Sequence, residues 1–421
     1  MTDRPAFLLP LAAPTVADLA ELARDTVALL GRLGDRSPRS LCADALTAAG
    51  AAAGHRIAVT GHSSAEIAGR LAAHLAGDHV REVSTGFAAP GARPRIALLC
   101  SGQGAQFPGM GMDLYRSEPV YRKTFDRCAD AAAPYLAMPL VELLDADASA
   151  GPGIHRLPHA ALTTFAVGCA LTALWRDRGV EPDAVLGFSS GEYLAAHVAG
   201  ALTAEDAIAL LAAETTLAEQ VGDGAMCVVG AAEKQVLEVL AELGPQASRV
   251  GVAAVLSAGD VSLSGSAAEL AVVTERLAAL GIRTSALPVP QGLHSPLQEP
   301  FLDELRAAAA QVPASAPTIP MVSTVTGRPA GQEVLADPAH WSAHQRGPVR
   351  FLDGMRTLDA LGTTVYIEAG PGRALTGIGP RALAGGGERL WLASIGRSAD
   401  GAEAMLRALG RLFTAGVPIR L

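Results

Sequence analysis

With 421 residues, 50% of them hydrophobic and 18% charged, the chain is long enough for two or three domains and a sizeable buried core. Its formal net charge is −9, its aromatic content is 4%, and no run of Lys and Arg occurs. It therefore lacks both the clustered positive field and the stacking platforms of a nucleic-acid binder, and no nucleic-acid partner is expected. Five scattered cysteines (Cys42, Cys100, Cys128, Cys169 and Cys227) make no CxxC pair. Neither a disulfide framework nor a zinc site is suggested, no metal or bound cofactor is expected, and a reducing, cytoplasmic setting fits.

The N-terminus begins with an apolar run, but Pro10 and Pro14 interrupt it and Asp3 sits where a signal peptide is cationic. No stretch reads as long and clean enough to span a bilayer, so no membrane association is expected. Residues 1–94 read as a small αβ unit. It comprises a strand Ala6–Leu9, a helix Val16–Leu33, a strand Arg56–Thr60 and a helix Ala65–Leu75, ending in a Gly/Ala/Pro-rich linker, Thr85–Pro94. From Arg95 strands alternate with helices: strand Arg95–Cys100, the turn SGQGAQFPGMG, helix Ala160–Arg178, strand Ala184–Leu186 and helix Gly191–Val198. That rhythm predicts a mostly parallel sheet covered on both faces. Residues 224–288 then read as βαββαβ, a ferredoxin-like unit inserted into the larger domain, which resumes over 289–390 with a strand at Thr364–Glu368. The last segment, 391–421, completes the chain.

Val185–Leu186–Gly187–Phe188–Ser189–Ser190–Gly191–Glu192 has the form strand, G-x-S-x-G, helix. Flanking glycines let the chain reverse sharply and push the serine oxygen out at the helix N-terminus, where the Ser190 N–H can meet a developing oxyanion. The same residues also fit a helix-capping box, and the two readings are compatible. Gly61-His62-Ser63-Ser64-Ala65-Glu66 looks similar, but has Ala where the second glycine belongs, so Ser63 is read as a plain N-cap. A serine hydroxyl needs a base, and ten histidines are available. His294, in VPQGLHSPLQEP, stands where the chain re-enters the larger domain, a common place for catalytic groups. His62, His74 and His197 lie in or beside helical runs and read as structural.

Taken together, these segments resemble the acyltransferase domain of modular polyketide synthases, relatives of malonyl-CoA:acyl carrier protein transacylase. SGQGAQFPGMG, GFSSGEYLAAHVAGALTAEDA, QGLHSPLQEP, HWSAHQRGPVRF and IEAGPGRALTGI carry the resemblance, which extends over nearly the whole chain. Residues 1–94 resemble the ketosynthase–acyltransferase linker, and LGRLFTAGVPIRL resembles the post-acyltransferase linker. The resemblance implies an α/β-hydrolase-like large domain, 95–223 and 289–390, with the ferredoxin-like subdomain inserted. It also implies ping-pong acyl transfer through an ester on Ser189, with His294 as base and the N–H groups of Gln103 and Ser190 as oxyanion hole. An orienting carbonyl for the histidine is expected from the loop around Gly370–Gly372. The thioester substrates implied are acyl-CoA and acyl carrier protein.

Several positions depart from the family. Where malonyl enzymes hold the substrate carboxylate with an arginine, this chain has Glu214, which shares a helical face with Leu210 and Leu217. Pointing inward, it would repel a carboxylate or attract an amine; pointing outward, it would do neither. Phe188 replaces a histidine before the nucleophile, Leu256 an asparagine and His159 a glutamine, while Gln291-Gly292-Leu293 departs from the usual signature and its glycine is expected to open space. The pocket is therefore expected to take a larger, uncharged acyl group. Starting with its own methionine and lacking ketosynthase and carrier segments, the chain reads as a freestanding enzyme acting in trans. Competing readings keep the same machinery but change the acceptor to a natural-product hydroxyl or to water, or make the chain a non-catalytic scaffold. Intact Ser189 and His294 weigh against the last.

Overall fold

The computed structural model describes residues 6–421 except 35, 51–53, 92, 146–152, 290 and 398–400. In chain order, β1 (Phe7–Ala13), β2 (Gly54–Gly61) and β3 (Val83–Ala88) form an antiparallel sheet in the order β1-β2-β3. The supposed linker from Thr85 thus begins as strand. Its Gly86 and Ala88 belong to an edge strand paired on one side only, where little hydrophobic patterning is needed. A helix not foreseen, Arg39–Ala49, precedes β2. The far end of the chain completes this unit: helix Gly401–Thr414 packs on β2 and β3, and buried Arg56 reaches from β2 to the Phe413 carbonyl at 2.8 Å. The helix of the 391–421 segment is therefore part of the N-terminal layer in space.

Strands β4 (Arg95–Cys100) and β5 (Ala184–Gly187) open the large sheet. The chain then leaves it for β6 (Gly224–Val229), β7 (Val250–Ser257), β8 (Asp260–Ser266) and β9 (Thr284–Leu287). It returns for β10 (Met321–Ser323), β11 (Arg328–Pro329), β12 (Thr363–Ala369) and β13 (Leu390–Ala393). The large sheet runs β11-β10-β5-β4-β12-β13, parallel except at β11. β13 straddles the expected boundary at 390: it pairs in register with β12 and so closes the large sheet. The inserted unit is antiparallel in the order β7-β8-β6-β9, the ferredoxin-like pattern. Val236 and Val239 from one of its helices and Leu270, Val273 and Leu277 from the other bury against Cys227, Val229 and Leu263.

The sheet's central strands read as continuous apolar runs because both faces are covered. One covering helix, Leu157–Asp177, corrects the expectation about bilayers. At 21 residues and a mean hydropathy of 1.5 it is long and apolar enough, yet 83% of that window is buried inside the fold. It is apolar all round because it is a core helix. All five cysteines are buried as free thiols.

Two features of the fold place the site. β4, β5 and β12 are parallel neighbours, so the loops leaving their carboxyl ends emerge together. The inserted unit is fastened to the large domain where β7 meets Val349: Val255 N–H donates to the Val349 carbonyl and Val349 N–H to the Ala253 carbonyl, both at 2.9 Å.

Candidate active site

β5 ends at Gly187, and Ser189 sits at the apex of the turn with φ 52°, a left-handed conformation that costs a non-glycine residue about 1–3 kcal/mol. The surroundings impose it. A Cβ at Gly187 would strike the Gly191 carbonyl and the Glu192 nitrogen; one at Gly191 would strike the Cys100 carbonyl on β4. Only glycine permits so tight a reversal against the neighbouring strand. The helix Gly191–Val198 is pinned from below by Glu192, which is fully buried. Its carboxylate accepts from Ser323 Oγ (2.5 Å), Thr324 N–H (2.9 Å) and Thr324 Oγ1 (2.6 Å), with His340 Nε2 at 3.2 Å. Burial pushes this carboxyl up, but the His340 hydrogen bond and the nearby His344 charge outweigh it and hold it at about 2.

Ser189 Oγ lies 2.7 Å from Nε2 of His294. His294 also has positive φ, 56°, and is buried. Its Nδ1 lies 3.0 Å from the His344 carbonyl and 3.1 Å from the Gly347 carbonyl. Two acceptors at Nδ1 fix the proton there and leave Nε2 as the acceptor for the serine hydroxyl. The orienting carbonyls therefore come from the end of helix Pro338–Arg346 and not from the Gly370–Gly372 loop. The last carbonyls of a helix lack partners within it and are free to be used in this way. The Gly370 loop instead packs on the oxyanion side: a Cβ at Gly370 would strike Ser101 Oγ, which donates to buried Glu368 at 2.9 Å. Burial, joined by the neighbouring His344 charge, holds the His294 imidazole down at about 4, so its neutral form is present at all ordinary pH values.

The loop after β4 crosses the turn closely, since a Cβ at Gly102 would strike the Phe188 carbonyl. The Gln103 N–H donates to Ser190 Oγ at 2.9 Å, so both expected oxyanion residues stand at the turn. The Gly104 N–H, held by Gln106 Oε1 at 2.6 Å, stiffens the same loop.

Glu214 is 5% exposed and points inward. Tyr193 Oη donates to it through a short hydrogen bond, and His344 Nδ1 lies 3.1 Å away. The other His344 nitrogen, Nε2, lies 2.9 Å from the Ser189 carbonyl. Burial pushes the His344 imidazole down, but the Glu214 carboxylate, with help from Glu192 and the Ser189 carbonyl, lifts it to about 9. His344 was not legible as a site residue. It lies 50 positions after His294 and 130 after Glu214, and only the segment HWSAHQRGPVRF marked its neighbourhood.

The remaining pocket residues are placed as follows. Leu293 packs with Leu157 and Ala218, flanked by Met226 and Val289, in a small apolar cluster between the large domain and the inserted unit. Phe188 stands edge-on to Phe351 at 5.6 Å and belongs, with buried Leu256, to the core shared by the two units. His159 Nδ1 is spent on the Gly153 carbonyl at 2.7 Å, and the Gln291 carbonyl accepts from Gln298. Gly292 does not open space. Its φ is 55°, and an added Cβ would lie 2.7 Å from Leu297 Cδ1 and 3.3 Å from the Gly265 carbonyl, so glycine serves the backbone there. Ser63 accepts from the Glu66 N–H at 3.1 Å while Glu66 takes the His62 N–H at 2.8 Å, which is a helix cap. His197 is tied to the Leu202 carbonyl.

The acyl transferase domain family matches residues 97–418. This chain belongs to that family. Among curated relatives of this acyltransferase, it is 38% identical over 375 residues to a putative inactive phenolphthiocerol synthesis polyketide synthase of Mycobacterium tuberculosis, a match covering 87% of this chain and 22% of that protein. It is 39% identical over 292 residues to polyketide synthase GfsB of Streptomyces halstedii, covering 68% of this chain and 5% of that protein. The chain thus spans about a fifth or less of the length of these relatives. Among solved structures, the acyltransferase domain from the second module of the salinomycin polyketide synthase superposes with a TM-score of 0.80 at 35% identity, covering 98% of this chain and 94% of that one. A malonyl-CoA:acyl carrier protein transacylase from Xanthomonas oryzae pv. oryzae gives 0.64 at 29% identity, covering 69% and 92%. The α/β fold and the reaction class, acyl transfer, follow from these likenesses.

Proposed function

We propose that this acyltransferase moves an uncharged acyl group from a thioester, through an ester on Ser189, to the thiol of a phosphopantetheine arm on a carrier protein. The observation that carries the reading is the 2.7 Å contact between Ser189 Oγ and His294 Nε2 at a glycine-enforced turn. In the first half-reaction His294 Nε2 takes the Ser189 proton as Oγ attacks the thioester carbon. The tetrahedral intermediate collapses by breaking the C–S bond, and the departing thiolate takes the proton back from His294. In the second half the carrier thiol gives its proton to His294, its sulfur attacks the ester, and the Ser189 oxygen leaves and is reprotonated. The N–H groups of Gln103 and Ser190 are the donors for the oxyanion, each worth about 3 kcal/mol. For Gln103 to serve, the Ser190 hydroxyl that now takes its N–H turns aside.

The preference for an uncharged acyl group rests on Glu214. It stands where the family resemblance places a carboxylate-binding arginine, and its own charge is already met by Tyr193 and His344. A malonyl-type carboxylate finds no free cation there, and an amine finds no free carboxylate. The test uses the 421-residue chain with a separately supplied carrier protein and equal concentrations of butyryl-, isobutyryl-, β-alanyl- and malonyl-CoA. Carrier loading by the uncharged donors is expected to exceed malonyl loading by about tenfold or more, since each 1.4 kcal/mol of lost pairing is a factor of ten. Preferential malonyl loading would contradict the assigned acyl class, and rapid release of free acid with no carrier product would contradict the acceptor.

A further inference from the structure

His344 joins three parts of the site that lie far apart in sequence. Its Nδ1 faces Glu214 Oε2 at 3.1 Å, its Nε2 faces the Ser189 carbonyl at 2.9 Å, and its own backbone carbonyl receives Nδ1 of His294 at 3.0 Å. His344 is 3% exposed, and its ring stands edge-on to Tyr193 and to His294, at 5.4 and 5.8 Å. Both nitrogens face oxygen atoms that only accept. A neutral imidazole, with one proton, would leave a lone pair pointing at an oxygen, so this geometry calls for the imidazolium. We infer that His344 is a positioning residue: held by Glu214, it clasps the Ser189 turn with its side chain and His294 with its backbone, and so fixes nucleophile and base relative to each other.

This inference rests on the roles given above to Ser189 and His294. It extends them, because the same clasp is a specificity element. Glu214 and His344 neutralise each other inside the protein, and neither is free to bind a charged acyl group. The groups facing His344 are Glu214 on the helix Ala204–Glu219, Tyr193 and Glu192 on the helix Gly191–Val198, His294 on its loop, and His340 one turn back on its own helix. The shifts support the geometry: the acid beside it lifts His344 to about 9, and the His344 charge adds to burial in holding His294 down at about 4.

The test is a proton-NMR titration of the full chain carrying 13Cε1-labelled histidine, without substrate, alongside the pH profile of acyl-Ser189 formation from butyryl-CoA. In the wild type one buried histidine is expected to stay protonated at neutral pH and to titrate near 9, and its signal should be absent in His344→Gln. In His344→Gln the proton affinity of His294 should rise about tenfold or more, because a cation is lost and Glu214 keeps its charge with only Tyr193 as partner, and the acidic limb of acylation should move up in pH with it. Glu214→Gln/His344→Gln removes both charges and should return that limb toward the wild-type position. A merely structural histidine would lower activity without moving the limb. Wild-type His344 titrating at or below the usual 6.5, or a limb that stays put in the single variant, would overturn the inference. Should the variants not fold, the wild-type titration alone decides it. A titration near 9 with no acyl adduct from any donor would overturn the assignment of Ser189 and leave the clasp standing.

Discussion

Replacing Ser189 with Ala is expected to eliminate the covalent adduct and to reduce carrier loading by about 10⁴-fold or more, because among the described residues it is the Ser189 hydroxyl that lies against His294 Nε2. His294→Ala should slow adduct formation by about 10²–10⁴-fold, the usual worth of a positioned base, with a smaller change in the donor concentration giving half-maximal rate. Single-turnover mass spectrometry measures both. The direction of the pH response follows from the folded state. The base works when neutral, and burial keeps His294 neutral above about pH 4, so acylation should be flat from pH 5 to 8 and fall on acidification through 4. An acidic limb centred near 6.5 would show a solvated imidazole in place of the buried one. The same depression makes His294 a weaker proton acceptor, so part of its catalytic value must come from alignment, which the 2.7 Å contact and the two carbonyls on Nδ1 supply.

The largest expected effect on stability lies beneath the nucleophile, at Glu192. Its carboxylate is completely buried and meets Ser323, Thr324 and His340 on strand and helix segments far along the chain. Glu192→Ala removes the carboxylate those donors share and opens a void, and should cost about 3–5 kcal/mol. A lowered urea midpoint measures this, and acylation should fall with it because the turn loses its anchor. The pH dependence has a definite sign. The folded-state value of about 2 lies below the usual 4.5, so the stabilisation is complete above about pH 4.5 and is lost as pH falls toward 2. The shift corresponds to about 3 kcal/mol. Glu192→Gln should therefore flatten acid unfolding in that window. An unchanged acid midpoint would place the carboxylate's contribution elsewhere.

The nucleophile turn was legible because its chemistry is local: Gly187, Ser189 and Gly191 lie within five residues, and steric necessity at β4 and β5 demands those glycines. The inserted βαββαβ unit was legible too, since its strands alternate and its helices bury Val236, Val239, Val273 and Leu277 at helical spacing. What escaped was non-local. The carbonyls that orient His294 belong to residues 344 and 347, at the end of a helix whose purpose depends on what packs against it. Glu214 could be seen to depart from its family, but not that His344 answers it from 130 residues away. Gly292 was misread for the same reason: the neighbours that fill its surroundings, Leu297, Gly265 and Gly224, come from three separate segments. β3 and β13 were missed or misplaced because edge strands carry weaker patterning than the buried β4, β5 and β12.

The buried pair of Glu214 and His344 also explains why a single exchange should not convert the pocket. An arginine at 214 would face the His344 imidazolium across about the 3.1 Å that now separates opposite charges. In the proposed reading the acyl preference rests on two positions on two helices, Glu214 and His344.

The most direct measurement is the site of acylation. After brief mixing with butyryl-CoA and digestion with trypsin, the peptide from Gly179 to Lys234 contains Ser189, Ser190 and Cys227 together. Fragmentation of that peptide should place the butyryl mass on Ser189, and the mass should be absent from Ser189→Ala. Butyryl on Ser190, on Cys227 or on any other peptide, with none on Ser189, would contradict the assignment of the nucleophile.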